Sequence, residues 1–250
     1  MSKPVLSVIT IVYNNVRDIE RTMLSVLNQS YPNIEYLLID GASTDGTRAI
    51  IEKYKDRLAG YISEPDKGIY DAMNKGLALA RGEYVLFMNS GDEVYDINTV
   101  ANVFASGSDA DIYYGETEMY NDNWESLGQR RHKAPESFHW KSFRYGMSIS
   151  HQAIYIKRTI TEPYDLKYKY SADIDWIIKA AKKAGKIVNT KRYVAKYLVG
   201  GVSKQKHLDS LKERFHIFSK HYGLLPNIFN HAIIAFRLGI YFVKHRRTND

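Results

Sequence analysis

The chain contains no cysteine, which excludes disulfides, a thiolate metal centre and a cysteine nucleophile. Glycine is missing where a dinucleotide-binding fold would need it. The first β-branched run, residues 5–15, holds none, so the G-x-G-x-x-G fingerprint cannot follow the first strand. The glycine-rich loop of a sugar nucleotidyltransferase, with its nearby Arg and Lys, is missing there too. Long apolar runs are scarce. The opening stretch MSKPVLSVITIVYNN is too short and too β-branched for a signal peptide, so a cytoplasmic location is expected. A later apolar stretch, residues 228–243, is interrupted by Asn230, His231 and Arg237. It falls short of the roughly 20 mostly apolar residues that cross a bilayer.

What is present suffices for a packed core. Hydrophobic residues make up 44% and charged residues 25%, which separates this chain from a disordered one. At 250 residues it fits one large domain, or one domain with an appendage. The net charge of +7 is unevenly placed: residues 179–250 carry 16 Lys and Arg against 3 Asp and Glu, a net of +13, leaving −6 on the first 178. An acidic front suits metal or nucleotide chemistry, and a basic tail suits contact with something anionic.

Strand and helix patterns alternate in the front half. Residues 5–13 read as a buried strand, and residues 16–28 then space Ile19, Met23, Leu24 and Leu27 at helical intervals. A second strand is expected at 34–39 and a second helix at 44–54, with Ser43 or Thr44 as its cap. A short strand at 61–63, a helix at 69–80 and an apolar strand at 84–88 complete a β-α-β-α-β-α-β order. That order implies a mostly parallel sheet flanked by helices. Beyond Asp92 the reading is a helix at 98–105, a strand at 111–118 and a polar loop over 121–135. A strand at 148–156, a helix at 172–184, a strand pair or strand and turn at 187–198, and helix from 208 with a break at 223–226 follow.

In such a sheet, ligands bind beyond the carboxyl ends of the strands. Four ends deliver polar groups or glycine to one edge: Tyr13-Asn14-Asn15, Asp40 to Thr47, Glu64 to Gly68, and Asn89-Ser90-Gly91-Asp92. The stretch Gly41-Ala42-Ser43-Thr44-Asp45-Gly46 has P-loop glycine spacing. It continues Thr47-Arg48 where Lys and Ser or Thr are required, and Asp45 would repel a cradled phosphate. A P-loop is therefore rejected.

Three blocks carry a resemblance: Ser7-Val8-Ile9-Thr10-Ile11-Val12-Tyr13-Asn14, Ile39-Asp40-Gly41-Ala42-Ser43-Thr44-Asp45-Gly46-Thr47, and Asn74-Lys75-Gly76 followed by Ala80-Arg81-Gly82-Glu83-Tyr84. They resemble the family 2 glycosyltransferases of the GT-A fold. The run from Glu64 to Asn74, EPDKGIYDAMN, is similar to bacterial members that build exopolysaccharide, colanic-acid-type or O-antigen repeat units. The resemblance implies an α/β GT-A domain over 1–205, with a nucleotide-sugar half at 1–95 and an acceptor half at 96–205. A helical, basic extension at 206–250 would follow. The implied activity is inverting transfer of a sugar from a nucleotide donor, a UDP-sugar, to a saccharide acceptor. A non-catalytic sugar-nucleotide-binding protein and a sugar nucleotidyltransferase are the alternatives.

By the same resemblance, Thr10, Val12, Tyr13, Asn14, Asp40, Lys67, Asn74, Ser90 and Gly91 would contact the donor. Val12 and Tyr13 would flank the base, and Asp40 would accept a charge-assisted bond from a pyrimidine N–H. Asn89-Ser90-Gly91-Asp92 occupies the family's metal motif, so Asp92, with Asn89 as the weaker partner, would hold Mg²⁺ or Mn²⁺ against the donor diphosphate. Asn89 stands where the family's first aspartate is usual. Tyr170-Ser171-Ala172-Asp173-Ile174-Asp175-Trp176 matches the family's Glu-Asp block, which makes Asp173 the general base and places Ala172 where the Glu would be. Asp175 and Trp176 would shape the acceptor subsite. His151-Gln152 would lie near the donor sugar and the acceptor, and Gly200-Gly201 would close over the diphosphate. The tail, ending Lys244-His245-Arg246-Arg247, suits a helix lying in a membrane interface or packed on protein. A lipid-linked oligosaccharide acceptor at the inner membrane surface fits the first of these. No nucleic-acid partner is expected.

Overall fold

A computed structural model describes residues 6–130, 132–200 and 207–246. Strands β1 (Leu6–Val12), β2 (Ile34–Asp40), β3 (Gly60–Ser63) and β4 (Tyr84–Phe87) lie parallel in the order β3-β2-β1-β4. The second half adds β5 (Glu93–Val94), β6 (Ile112–Tyr120), β7 (Ser126–Gln129), β8 (Ile154–Lys157) and β9 (Ile187–Leu198). Here the directions mix: β8 runs antiparallel to both β4 and β6, while β9 runs parallel to β6 and antiparallel to β5.

Alternate residues of the strands feed two layers, as the two-residue period of a pleated strand requires. Val8, Tyr36, Leu38 and Leu86 face one side with helices α1 (Ile19–Leu27), α2 (Thr47–Glu52) and α4 (Thr99–Ala105), whose Met23, Ile51 and Val100 complete that core. Ile9, Leu37, Ile39 and Phe87 face the other, where α3 (Ile69–Leu79), α5 (Ala172–Lys183) and α6 (His207–Tyr222) supply Met73, Ile177 and Phe218. The result is the α/β sandwich expected of a GT-A fold. The core on the α3 side runs from β1 through to Ile217 and Phe218 of α6. A final helix, α7 (Leu224–Arg246), turns back at Gly223, whose φ of +89° suits glycine.

Three local expectations are corrected. The polar stretch 121–135 contains β7, paired antiparallel with β6. Its residues, Ser126-Leu127-Gly128-Gln129, show no buried alternation because the hairpin lies at an edge with exposed or half-buried side chains. The expected strand at 148–156 is shortened to Ile154–Lys157, because His151–Ala153 form a 3-10 turn instead. Residues 187–198 form one strand, not two. It bends where Lys191 has a φ of +56°, and the register on β6 shifts beside Gly115. A Cβ at Gly115 would lie 2.6 Å from the Arg192 carbonyl oxygen, so only glycine admits this crossing. The break expected at 223–226 falls at Gly223, between α6 and α7, and Pro226 lies just beyond it. The proline sits in the first turn of α7, where its missing N–H costs nothing.

Candidate active site

A cleft of about 390 Å³ opens at the carboxyl ends of β1 and β4 and reaches the start of α5. Asn15, Asn89, Asp92, His151, Asp173 and Tyr197 line it together. Residues from five separated stretches thus meet at the edge where a parallel sheet offers its ligand site.

The turn after β4 forms the floor. The Asp92 N–H donates to the Asn89 carbonyl at 2.9 Å, and Gly91 between them has a φ of +104°. The Gly91 N–H donates to Thr22 Oγ1 at 3.0 Å, and Asn15 Nδ2 to Ser90 Oγ at 3.0 Å, so α1 and the end of β1 hold the turn. The Asp92 carboxylate accepts from Gln152 Nε2 at 2.8 Å and from the Leu198 N–H at 3.2 Å. Burial pushes its pKa up to about 7, against the opposing pull of His151 and of these two donors.

Asp173 stands at the first turn of α5, where a carboxylate meets the helix N-terminus favourably. Its Oδ1 accepts from the Ile174 N–H at 3.0 Å and the Tyr70 hydroxyl at 3.2 Å, and its Oδ2 lies 3.4 Å from His151 Nδ1. Burial alone would raise its pKa. The hydrogen bond and charge of His151, with the charge of Arg214, outweigh burial and hold the carboxyl below its ordinary value. Tyr70 shifts the other way, well above its usual value, first by burial and then by the neighbouring Asp173 charge. It remains a neutral donor to the carboxylate. On the far side of the imidazole, His151 Nε2 lies 3.0 Å from Asn89 Nδ2. The partners place a proton on Nδ1, toward Asp173, whether the ring is neutral or charged. Asn89 Oδ1 is buried and has no hydrogen-bond partner.

The expected donor residues divide between cleft and scaffold. Ser90, Gly91, Asn89, Asp92, His151, Gln152 and Gly200 line the cleft, and Tyr13 is 68% exposed at the end of β1. Gly201 lies outside the described residues. Thr10 is buried, its Oγ1 accepting from Tyr36 Oη at 2.9 Å, and Val12 is part of the core. Asn14 ties β1 to the loop after β2. Its N–H donates to Ser43 Oγ and its Oδ1 accepts from the Thr44 N–H, each at 2.8 Å. Asp40 is fully buried, accepting from Ser63 Oγ at 2.6 Å and from the Ser43 N–H at 3.2 Å. Lys67 is exposed and engages Asp71 only through its backbone N–H. Asn74 is spent on the backbone of Tyr164, donating at 3.0 Å and accepting at 2.7 Å.

Two acceptor expectations are corrected. Asp175 is buried away from the cleft, paired with Lys179 at 2.9 Å and with Lys220 and His221 of α6 at 3.0 and 2.8 Å. Trp176 is core: it stacks on Tyr164 with centroids 5.0 Å apart, meets Phe87 edge-on, and donates its N–H to the Glu162 carbonyl at 2.7 Å. Helical spacing explains the first: two positions beyond Asp173, Asp175 points to another side of α5.

Other lining residues were not singled out in the sequence. Asn15 closes the quoted strand end Tyr13-Asn14-Asn15, and Tyr70 lies inside the quoted EPDKGIYDAMN run, so both carried a signal. Lys169 and Tyr170 are set by α6, whose Glu213 carboxylate accepts their backbone N–H groups at 2.7 and 2.8 Å. Tyr197 and Leu198 arrive with β9, and Asp122 with the β6–β7 hairpin. That hairpin is fastened to α1 by Arg17, which donates to the Asp122 carbonyl, and by Arg21, whose guanidinium lies 4.0 Å from the Trp124 ring centroid.

A divalent cation finds only a partial cage. No group of three or more His, Asp or Glu among the described residues could hold one. What the turn offers is the Asp92 carboxylate and the orphaned Asn89 Oδ1. That donor set fits a hard ion sharing its ligands with phosphates, and not one enclosed by protein alone.

Comparison with known proteins agrees with the fold. In solved structures, the Staphylococcus aureus TarS fragment 1–349 in complex with UDP superposes with a TM-score of 0.64 at 22% identity, covering 96% of this chain and 72% of that one. The chain spans 42% of the longer TarS structure. The mannosyltransferase PcManGT from Pyrobaculum calidifontis, in complex with GDP-Man and Mn²⁺, gives 0.66 at 16% identity over 99% of this chain and 83% of that one. These likenesses define the class: a GT-A glycosyltransferase fold. The chain belongs to glycosyl transferase family 2, whose family model matches residues 7–162. Among curated relatives, a PGL/p-HBAD biosynthesis glycosyltransferase of Mycobacterium bovis is 30% identical over 188 residues, covering 72% of this chain and 70% of the relative.

Proposed function

We propose that this glycosyltransferase moves a sugar from a UDP-sugar to a saccharide hydroxyl, with inversion at the anomeric carbon. The observation that carries the reading is the placement of Asp173. It is a half-buried carboxylate held anionic in the same cleft as the Asn89–Asp92 turn. In the proposed step the acceptor oxygen attacks the anomeric carbon from the face opposite the diphosphate. Its proton passes to Asp173, the bond from the anomeric carbon to the phosphate oxygen breaks, and UDP departs with the electron pair. Tyr70 and His151 orient the carboxylate. The exposed Tyr13 ring offers a stacking surface for the base, and Asp40 shapes the loop beneath it.

Mg²⁺ or Mn²⁺, when bound, would supply charge neutralisation for the leaving diphosphate. Asp92 and Asn89 would hold it. The UDP complex of TarS and the GDP-Man and Mn²⁺ complex of PcManGT support a nucleotide-sugar donor and a divalent ion by likeness of fold. The reading extends to a lipid-linked saccharide of a bacterial surface polymer as acceptor, met at the inner membrane surface through the C-terminal extension. Release of UDP from a panel of UDP-sugars, with and without Mn²⁺, tests the donor assignment. A chain that binds UDP but releases none with any donor and acceptor pair would be a binding protein instead.

A further inference from the structure

Helix α7 is packed inside out. Its two buried residues among those described are polar, with Ile233 and Ile234 half-buried. Asn227 is fully buried and donates to the Phe215 carbonyl at 3.0 Å and to Ser219 Oγ at 2.9 Å. Asn230 is buried one turn on, and His231 Nδ1 lies 3.0 Å from the Asn227 carbonyl oxygen. The side facing solvent is apolar. Leu225, Phe229 and Phe236 are 79, 67 and 70% exposed, and Leu224 and Ile228 join them. Positions 225, 229, 232 and 236 fall on one stripe at helical spacing, and Ala232 completes it. An ordinary surface helix has the opposite arrangement. Burial of two asparagines under a face of leucine and phenylalanine leaves that apolar face exposed among the described residues, as a docking face would be.

We infer that this face docks on an anionic lipid bilayer, lying in the interface and not crossing it. Charge selects this occupant. The 23 residues of α7 include no Asp or Glu, and Arg237, Lys244, Arg246 and Arg247 follow the exposed stripe along the sequence. A second copy of this chain would bring the same cations and no acids of its own helix to neutralise them. Anionic headgroups supply the countercharge all round. No helix among the described residues is long and apolar enough to cross a membrane. The inference deepens the proposed lipid-linked acceptor and rests on it for its biological sense. α6 connects the docking face to the cleft, since Lys220 and His221 grip Asp175 on α5, the helix that begins with Asp173.

The test uses the full chain and vesicles of phosphatidylcholine, alone or with an equal part of phosphatidylglycerol. Wild type is expected to float with the anionic vesicles and to be released by salt. A variant carrying Leu225→Ser, Phe229→Ser and Phe236→Ser should partition at least about tenfold more weakly, because three large apolar side chains no longer enter the interface. UDP binding and melting temperature should be unchanged, since the three side chains are exposed. Equal flotation of variant and wild type would overturn the inference, as would failure of wild type to float. A dimer in sedimentation velocity that the triple variant abolishes, without vesicle binding, would assign the face to a second copy. UDP release is read separately, so failure of the proposed transfer is distinguishable from failure of docking.

Discussion

His151 Nδ1 lies 3.4 Å from Asp173 Oδ2, and the imidazole stands between that carboxylate and Asn89. One ring thereby links the proposed base to the turn that would meet the donor diphosphate. The contact also explains why this half-buried carboxyl stays anionic.

Asp173→Asn keeps the size of the side chain and removes its ability to take a proton. Transfer is expected to fall by about 10²–10⁴-fold, the range for loss of a positioned general base. UDP affinity by thermal shift should stay within about twofold, because in the proposed step Asp173 meets the acceptor hydroxyl and not UDP; ligand at a hundred times its Kd still raises stability by about 2.7 kcal/mol. Retained turnover would remove Asp173 from the base role.

His151→Ala removes the main influence that offsets burial at Asp173. The carboxyl pKa should then rise, so the acid limb of the kcat profile is expected to move to higher pH. Activity at low pH is lost first and partly recovered as pH rises. An acid limb that stays in place would show that His151 does not set the ionisation of Asp173.

Asp92 loads the ligand-free fold in a pH-dependent way. Its folded pKa of about 7 lies above its unfolded value. Between about pH 4 and 7 the folded state therefore holds a proton that the unfolded chain has lost, and stability falls as pH rises through that window. Asp92→Asn is expected to flatten this decline and to raise the melting temperature of the ligand-free protein at pH 8. It should also abolish any strengthening of UDP binding by Mn²⁺. An unchanged Mn²⁺ response would sever Asp92 from the metal.

Asp175 works in the opposite sense. Burial would raise its pKa, but hydrogen bonds from His221, Lys179 and Lys220 hold it well below the ordinary value. Its stabilisation is complete above the unfolded pKa near 4 and is lost as pH falls through the lower folded value. Asp175→Ala leaves cations without their partner and should cost about 3 kcal/mol, the low end for a broken buried pair because the two lysines reach solvent. Urea unfolding at pH 7 measures it. A loss below about 0.5 kcal/mol would contradict the clamp, since surface substitutions stay within that range.

The front half of the fold was legible because its strands are continuous apolar runs and its helices keep one apolar stripe. Asp92 and Asp173 could be named as candidates from local motifs alone. Their meeting in one cleft could not, because it depends on β8 and β9 inserting beside β4 and β6. The same holds for Gln152. Serine, isoleucine, histidine and glutamine at 148–152 alternate like a strand, yet side-chain bonds to Asp92 and Asp173 are made from a 3-10 turn. Thr10, Asn14 and Asn74 stand within recognisable motifs, and in this fold their polar atoms serve neighbouring loops and backbone. A motif records what must be kept at a position and does not separate ligand contact from support.

The packing of α6 has a consequence for how such enzymes are recombined. Ile217 and Phe218 belong to the same core as Ile177 of α5, and Lys220 and His221 close on Asp175. The extension and the helix bearing Asp173 are therefore one unit of exchange. A chimera spliced at residue 206 would graft a foreign lid onto a fitted seat, whereas a seam placed ahead of α5 would carry both halves of the joint together.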